Sequence, residues 1–486
     1  MNPEELCFLP AHELAHLIRS RELSAAEVMD AHIAQIERVN PAVNAIVTFL
    51  PERAQESARA VDAALKRGQE PGPLAGLPVA HKDLTPTKGI RTTFGSPIFK
   101  DFVPDADALI VERQRAAGAI TVGKTNTPEF GAGSQTFNPV FGPTRNPYDL
   151  GKTCGGSSGG AAAALASGML PLADGSDLGG SLRNPASFCN VVGLRPSSGR
   201  VPHWPSVSAW FSLAVVGPMA RTVQDIALFM ASIAGPDARS PISLQDPAAL
   251  FSRPLERDFK DVRIAWSTDL GGLPMEPEVI RVMQSQRQTF ADLGCIVEEA
   301  TPDLRDAHEI FSVLRAWNFY LSYGELFKTK RALMKDTVIW NIEQGARLTG
   351  PEVGTAEVKR TELFHRMRQF MKKYDFLVAP VAQVLPFAVD IPYPNRIGDV
   401  ALDTYIDWMR SCYYVTVTGA PALSVPCGFS SSGLPVGLQI VGRYQDDFGV
   451  LQLGAAFEQA TGCWKRRPAI GQNNPELRTL NHALKI

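Results

Sequence analysis

The chain has 486 residues with a formal net charge of −2, of which 45% are hydrophobic and 20% charged. Such a length exceeds one small core, and the near-zero charge gives no electrostatic reason to expect nucleic acid or an anionic membrane as a partner. No apolar stretch of about 18 residues is present, and the acidic start at Met1–Glu5 is unlike a secretory signal, so a cytoplasmic protein is expected.

Seven cysteines are spread along the chain without a CxxC pair. An odd number of separated cysteines argues against a disulfide framework and favours reduced thiols. Cys154 and Cys189 lie near glycine-rich segments, where we interpret each as a small packed residue.

The first seventy residues are predicted to be helical. Ser24–Glu27 has the form of a capping box, and the helix that it begins is expected to end at Pro41. An alanine-rich helix is predicted from Glu52 to about Lys66.

Beyond this region, short apolar strands alternate with helices. Leu77–Ala80 and Ala119–Gly123 are typical of buried strands, with a predicted helix at Ala106–Ala117 between them. A further strand is predicted at Phe376–Pro380, after a mainly helical segment that begins at Ala307. This alternation predicts an α/β fold around a largely buried sheet.

The run Gly155–Gly160 reads Gly-Gly-Ser-Ser-Gly-Gly and contains the Gly-x-Ser-x-Gly pattern of a nucleophile elbow, with Ser157 at its centre. An elbow requires an apolar strand directly before it, and Asn146–Thr153 has the composition of a poor strand. A phosphate-binding loop is also disfavoured, because no lysine follows the glycines. The run could equally be a flexible connection.

A second cluster spans Asp174–Ala186 and places Gly179 and Gly180 just before Ser181. Paired glycines allow backbone N–H groups to converge near a serine hydroxyl, as an oxyanion hole requires. The same pattern fits a tight structural turn, and the cluster alone does not decide between them.

A serine nucleophile needs a base. Of eight histidines, only His81 and His203 fall near a glycine cluster or a predicted strand end. A lysine can serve if burial in an apolar site keeps it neutral, and Lys82 directly follows the apolar strand at Leu77–Ala80.

Together these segments resemble the amidase signature family. The resemblance is carried by five stretches, at Gly76–Asp83, Gly155–Gly160, Gly175–Arg183, Phe188–Pro196 and Gly217–Thr222. It is dense from about residue 20 to 235 and returns at Gly433–Gln439.

The resemblance implies a Ser–Ser–Lys triad, in which Lys82 is the neutral general base, Ser157 the relay and Ser181 the nucleophile. It also implies a cis peptide bond between Gly156 and Ser157. In this interpretation Ser157 is not the attacking residue, which reverses the elbow hypothesis. The reaction would proceed through an acyl-enzyme, without a metal or an organic cofactor.

Other family positions carry over to this sequence one residue at a time. Asp177 and Arg183 would brace the loop around the nucleophile, and Gly131, Ala132 and Gly133 would line the substrate pocket. The oxyanion hole would be formed by the backbone N–H groups of Leu178, Gly179, Gly180 and Ser181.

The implied fold is one large α/β domain over residues 1–486, with a mixed sheet covered by helices on both faces. Within it we expect an N-terminal helical segment, the catalytic signature region, a variable and mainly helical substrate-side region, and a C-terminal return to the core. These segments correspond to residues 1–70, 71–235, 236–420 and 421–486.

The leading hypothesis is a small-molecule amidase for hydrophobic or aryl amides, with anilide, carbamate and ester substrates open. It rests on aromatic residues in the variable region: Phe311, Trp317, Phe319, Tyr323, Trp340, Phe387 and Trp408. One alternative is the glutamine-hydrolysing subunit of a tRNA-dependent amidotransferase, although Pro202–Val207 departs from the serine-rich stretch expected there. Another is a catalytically silent binding protein. A small amide is the expected partner, and a homodimer is left open.

Overall fold

A computed structural model describes residues 2–69 and 72–471. The strands in these ranges are β1 (Ile46–Phe49), β2 (Pro78–Lys82), β3 (Ile120–Thr125), β4 (Arg145–Asn146), β5 (Asp149–Thr153), β6 (Leu172–Asp177), β7 (Val192–Arg195), β8 (Val215–Ala220), β9 (Arg263–Trp266), β10 (Ile296–Glu299), β11 (Phe376–Pro380), β12 (Arg396–Ile397), β13 (Val400–Ala401), β14 (Ala422–Phe429) and β15 (Pro435–Val441). The α-helices are α1 (Pro3–Cys7), α2 (Ala11–Ser20), α3 (Ala25–Val43), α4 (Pro51–Lys66), α5 (Leu109–Ala116), α6 (Gly159–Ala166), α7 (Arg183–Phe188), α8 (Val223–Ile233), α9 (Pro277–Gln284), α10 (Arg287–Asp292), α11 (Ala307–Lys330), α12 (Asp336–Arg347), α13 (Gly350–Phe370), α14 (Arg410–Thr418) and α15 (Asp447–Thr461).

The largest sheet has 11 strands in the order β1-β3-β2-β6-β8-β7-β14-β15-β11-β9-β10. β2 runs parallel to both of its neighbours, as does β9, whereas the remaining pairs are antiparallel. The β4–β5 and β12–β13 pairs form separate two-stranded ribbons. The predicted mixed sheet is therefore confirmed.

Both faces of this sheet are covered by helices. Along β11, Phe376 and Val378 belong to one buried apolar cluster, and Leu377 and Ala379 to another. Since side chains alternate between the faces of a strand, each cluster occupies one face. Residues of the N-terminal helices, α6, α8 and α15 fill the first cluster, and residues of α11, α13 and α14 fill the second.

The N-terminal region departs from the sequence prediction at two points. Pro41 does not end α3, which continues to Val43 with the proline in its last turn. The helix ends instead at Asn44, which has φ 56° and donates its N–H to Asn40 O over 2.7 Å. The four residues of β1 were then missed in a region predicted to be helical.

All seven cysteines are free thiols, and Cys154 and Cys189 are buried as expected. Burial raises the pKa of the Cys154 thiol to about 12. Such a thiol stays protonated at neutral pH and is a poor nucleophile. Separately, no helix within residues 2–69 and 72–471 combines the length and apolar character that a membrane span requires.

Candidate active site

Lys82 is the last residue of β2, between two parallel neighbours, and its side chain is buried. The backbone N–H of Lys82 donates to Asp174 Oδ1, on the adjacent strand β6, over 3.0 Å. The sheet thereby fixes this lysine at the edge where the segments after β2 and β6 meet.

The Lys82 side chain ends among three hydroxyls. Its Nζ lies 2.7 Å from Ser157 Oγ, 2.9 Å from Ser158 Oγ and 3.0 Å from Ser176 Oγ. Burial lowers the pKa of Lys82 to about 7, against the opposing effect of the carboxylates of Asp177 and Asp174. A neutral amine has one lone pair and two N–H donors, so it can accept a proton from one hydroxyl while donating to the other two.

The Gly155–Gly160 run forms a tight turn that leads into α6, and the peptide bond between Gly156 and Ser157 is cis. A Cβ at Gly160 would lie 2.3 Å from the backbone nitrogen of Asn126, so only glycine fits there. Thr136 Oγ1 donates to Gly155 O over 2.9 Å and anchors the start of the turn.

The segment before this turn corrects one expectation. Residues 149–153, predicted to be a poor strand, form β5, because Arg145–Asn146 pairs with it as β4. This ribbon is separate from the main sheet and ends at Thr153, several residues before Ser157. It therefore differs from the sheet strand that runs directly into a nucleophile elbow.

Ser181 lies in the turn between β6 and α7. Asp177 Oδ1 accepts from the Gly180 N–H over 2.9 Å, and Asp177 Oδ2 accepts from the Leu182 N–H over 3.2 Å. The Gly180 N–H is thus already engaged, unlike the expectation that it faces an oxyanion. No hydrogen bond within the described part of the chain engages the N–H groups of Leu178, Gly179 or Ser181.

Two buried guanidinium groups share the Asp177 carboxylate. Arg183 Nε donates to Asp177 Oδ2, and Arg195 Nη1 donates to Asp177 Oδ1, each over 3.1 Å. These two cations hold the pKa of Asp177 well below its usual range despite its burial. Asp177 and Arg183 therefore lie where they brace the Ser181 turn, and sequence reasoning missed the matching contact of Arg195.

Ser157, Ser176 and Ser181 line one cavity of about 90 Å³, called here the serine cavity. Gly131 and Gly133 also line it, and a Cβ at Gly131 would lie 3.5 Å from Ser157 Oγ. Ala132 instead lines a smaller neighbouring cavity. The remaining residues around the serine cavity are Leu84, Phe130, Ser134, Leu178, Gly179, Arg315, Asn318, Phe319, Tyr323 and Met409.

Of the seven aromatic residues singled out in the sequence, Phe319 and Tyr323 line the serine cavity. Trp408 is buried beside Ala132. Arg315 and Asn318, on α11, were missed altogether. They were missed because the sequence prediction for this variable region considered only aromatic residues, and because no motif marks polar residues there.

The two histidines near the glycine clusters do not contact the serines. His81 Nδ1 lies 2.5 Å from Asp174 Oδ2, and His81 Nε2 lies 3.0 Å from Thr121 Oγ1, so both ring nitrogens are engaged elsewhere. His203 lines a separate cavity beside Trp204. Within residues 2–69 and 72–471, no group of three or more His, Cys, Asp or Glu side chains could hold a metal ion.

Comparison with known sequences identifies the family of this chain. The model of the Amidase family matches residues 27–451. An acylamidase from Rhodococcus erythropolis is 37% identical over 472 residues, which cover 96% of this chain and 99% of that protein. A glutamyl-tRNA(Gln) amidotransferase subunit from Moorella thermoacetica is 38% identical over 493 residues, with the same coverage of 96% and 99%.

Comparison with solved structures gives the same result. A bacterial aryl acylamidase of the amidase signature family superposes with a TM-score of 0.90 at 30% identity, covering 96% of this chain and 99% of the other. The agreement extends over the whole sheet and its helices. The chain therefore belongs to the amidase signature family and is an amide-hydrolysing enzyme.

Proposed function

We propose that this enzyme cleaves the C–N bond of small amides through an acyl-enzyme on Ser181, with Ser157 as proton relay and Lys82 as general base. One observation carries the proposal. The buried Lys82 Nζ, with a pKa lowered to about 7, lies 2.7 Å from the hydroxyl of Ser157, which lines the same cavity as Ser181.

The first half of the reaction forms the acyl-enzyme. Ser181 Oγ attacks the amide carbonyl carbon while its proton passes to Ser157 Oγ, and the proton of Ser157 passes to Lys82 Nζ. Collapse of the tetrahedral intermediate breaks the C–N bond. Lys82 returns the proton through Ser157 to the departing nitrogen, which leaves as a neutral amine.

The second half removes the acyl group. Water gives a proton through Ser157 to Lys82 and adds to the ester carbonyl, and the same relay then returns the proton to Ser181 Oγ. The free acid leaves, and the enzyme regains its starting protonation.

Backbone N–H groups of Leu178, Gly179 and Ser181 would stabilise the oxyanion, because Asp177 does not engage them. One such donor is typically worth about 2.7–4 kcal/mol. The Gly180 N–H has a different role in this proposal, since its bond to Asp177 fixes the turn.

The walls of the serine cavity favour hydrophobic or aryl substrates. Phe130 and Tyr323 stack with ring centroids 4.3 Å apart, and Leu84, Leu178 and Phe319 add further apolar surface. The acylamidase and the aryl acylamidase are relatives whose names fit such substrates. Carbamates and esters would react by the same acyl transfer.

A second candidate is the glutaminase subunit of a tRNA-dependent amidotransferase, because the Moorella thermoacetica protein matches this chain about as well as the acylamidase does. This candidate predicts hydrolysis of glutamine and co-purification with partner chains. The apolar walls described above favour the small-molecule amidase.

A hydrolysis screen tests the proposal. Purified wild type is assayed against aliphatic amides, anilides, carbamates and glutamine, beside Ser181→Ala. We expect anilide hydrolysis in wild type and none above background in the variant. Equal rates in the two proteins would refute the assignment of Ser181 as the nucleophile. Hydrolysis of glutamine alone would favour the second candidate.

A further inference from the structure

Arg315 is a buried cation on the wall of the serine cavity that the reaction described above does not use. Its side chain is 3% exposed, and it lies on α11. Among the described residues that line this cavity, it alone carries a formal charge at neutral pH. Burying a charge is costly unless it is paired, so such a residue needs a compensating partner.

The protein satisfies this guanidinium only in part. Arg315 Nε donates to Asn341 Oδ1 over 3.1 Å, and Arg315 Nη2 donates to Tyr405 OH over 2.7 Å. No hydrogen bond within residues 2–69 and 72–471 engages Nη1. No carboxylate in these ranges lies within 4.0 Å of the group, although other buried arginines such as Arg183 have one.

Three aromatic rings lie close to the guanidinium, and its Nη1 has no hydrogen bond within the described residues. The Arg315 Cζ lies 4.7 Å from the ring centroid of Phe319 and 5.8 Å from those of Phe311 and Tyr405. These contacts hold the planar group in a fixed orientation. They do not neutralise its charge, and Nη1 is able to donate to an anion.

Asn318 stands three residues further along α11 and lines the same cavity. Residues three apart are neighbours on one helix face, and both Asn318 and Arg315 line the cavity from this face. No hydrogen bond in the described part of the chain engages the Asn318 side chain. The pair offers N–H donors to a planar oxyanion.

Glu129 and Lys335 carry further charges in this part of the molecule. Glu129 accepts from Ser96 Oγ over 2.6 Å and from the Lys335 backbone N–H over 2.7 Å. Burial lowers the pKa of Lys335 to about 8, and of the two charges that act on it Glu129 raises this pKa while Arg315 lowers it. Lys335 is thus a second cation in the vicinity of Arg315.

We propose that the substrate of this enzyme is an amide that also carries a carboxylate, bound by Arg315 and Asn318 in the serine cavity. This inference rests on the proposed amidase function and narrows its substrate class to amphipathic amides. The apolar walls would hold the carbon skeleton, while the charge-assisted hydrogen bond from Arg315 fixes the far end and sets the position of the scissile carbonyl over Ser181.

The test compares matched substrates that differ in one charge. The 4-nitroanilides of succinic and butyric acid place or omit a carboxylate on the acyl side. On the amine side, N-butyryl-4-aminobenzoate carries a carboxylate and its methyl ester is neutral. In wild type, kcat/KM for the anionic member of one pair should exceed that of the neutral member roughly tenfold or more, and that pair shows which side carries the carboxylate.

Variants separate recognition from structural support. Arg315→Met should lower the anionic-to-neutral ratio to about one, whereas Arg315→Lys should keep part of it. Arg315→Gln gives the same test if the methionine variant does not fold. Arg360→Met is the matched control, because Arg360 lies outside the cavity and donates to Ser212 Oγ, and its ratio should equal that of wild type.

The outcomes distinguish this inference from the function on which it rests. Ratios near one for both pairs in wild type, with the neutral anilide hydrolysed, would overturn the carboxylate site and leave the amidase proposal standing. An unchanged ratio in the Arg315 variants would also overturn it, because the loss of a merely structural residue lowers kcat/KM for the anionic and the neutral substrate equally. If none of the four substrates is hydrolysed and a fluorophosphonate does not label Ser181, both the carboxylate site and the amidase proposal are wrong.

Discussion

At the scale of single residues, the proposed mechanism depends on the protonation state of Lys82. An exposed lysine would be protonated at neutral pH and could not accept a proton from a serine. Burial lowers the pKa of Lys82 to about 7, and the carboxylates of Asp177 and Asp174 keep it from falling further. The base is thereby tuned near neutral pH, where general-base catalysis is most efficient.

The pH dependence of the reaction follows from this value. The active form of Lys82 is the neutral amine, so kcat/KM for an anilide should rise with pH through a midpoint near 7 and then level off. Lys335 is a control, because burial lowers its pKa to about 8 while its Nζ donates to Ala132 O. The midpoint should persist in Lys335→Met. A midpoint that moves in this variant, or a flat profile, would contradict the assignment.

Removal of the base should affect substrates unequally. Lys82→Ala removes the group that returns a proton to the leaving nitrogen, and general acid–base catalysis typically contributes about 10²–10⁴-fold. We expect kcat/KM for an anilide to fall by at least this factor, and that for a 4-nitrophenyl ester to fall less, since nitrophenolate leaves without a proton. Parallel assays of both substrates measure the difference. Equal losses would argue that Lys82 acts only in the attack step.

The individual site residues differ in how far the sequence predicts them. Lys82, Ser157 and Ser181 lie in short motifs with fixed spacing, so the family resemblance alone is enough to group them in one site. Gly180 was expected to donate to the oxyanion, but its N–H bonds to Asp177. Motifs give the identity of a residue and not the direction of its N–H. No sequence motif contains Arg315, because its contacts come from three separate segments of the chain.

At the scale of elements, the turn between β6 and α7 is held by one carboxylate. Asp177 accepts from the backbone at Gly180 and Leu182 and pairs with the buried Arg183 and Arg195. Loss of this charge would leave two buried cations without the carboxylate that neutralises them. The rigidity of the Ser181 turn therefore depends on an ion network beneath it and not on the glycines alone.

The substitution Asp177→Asn tests this network. It should lower the free energy of unfolding by about 3–5 kcal/mol, as expected when one partner of a buried ion pair is removed. Urea unfolding at pH 7 measures the loss. Asp246→Asn is the matched control, because the Asp246 side chain that pairs with Arg200 is 55% exposed, and it should cost at most about 1 kcal/mol.

This difference between wild type and Asp177→Asn should also depend on pH. The two arginines hold the pKa of Asp177 below its usual range in the folded state, so its charge stabilises the fold above the unfolded pKa of about 3.9. The contribution is lost as pH falls through the lower folded value. A difference that grows on acidification would contradict this origin.

Elements themselves were predicted unevenly. Strands with continuous apolar runs, such as Phe376–Pro380, match the structure at both ends. β5 was missed because its sequence, Asp-Leu-Gly-Lys-Thr, contains no apolar run. β1 was missed because it has only four residues, and its pairing with β3 is a tertiary property. The predicted end of α3 at Pro41 was wrong because whether a proline ends a helix depends on its distance from the helix end, which the local sequence does not give.

At the scale of the whole molecule, the C-terminal hairpin joins two halves of the sheet. β14 pairs with β7 on one side, and β15 pairs with β11 on the other. Strands from the catalytic region and from the mainly helical region thus belong to one continuous sheet. That the whole chain of residues 1–486 forms a single domain remains a prediction.

Unfolding experiments test the single-domain prediction. Trp266 and Trp408 are buried in the part of the chain after β8, whereas far-UV circular dichroism reports on helices throughout. If the chain is one cooperative unit, urea transitions followed by tryptophan fluorescence and by circular dichroism should coincide. Separate midpoints would indicate that the regions unfold independently and would contradict the prediction.

The identity of the nucleophile is the central claim, and covalent labelling tests it most directly. Wild type is treated with a fluorophosphonate, digested and mapped by mass spectrometry. We predict one adduct per chain, on the peptide that contains Ser181, with slower labelling in Lys82→Ala and none at this position in Ser181→Ala. An adduct on Ser157 would restore the nucleophile-elbow interpretation and contradict the relay.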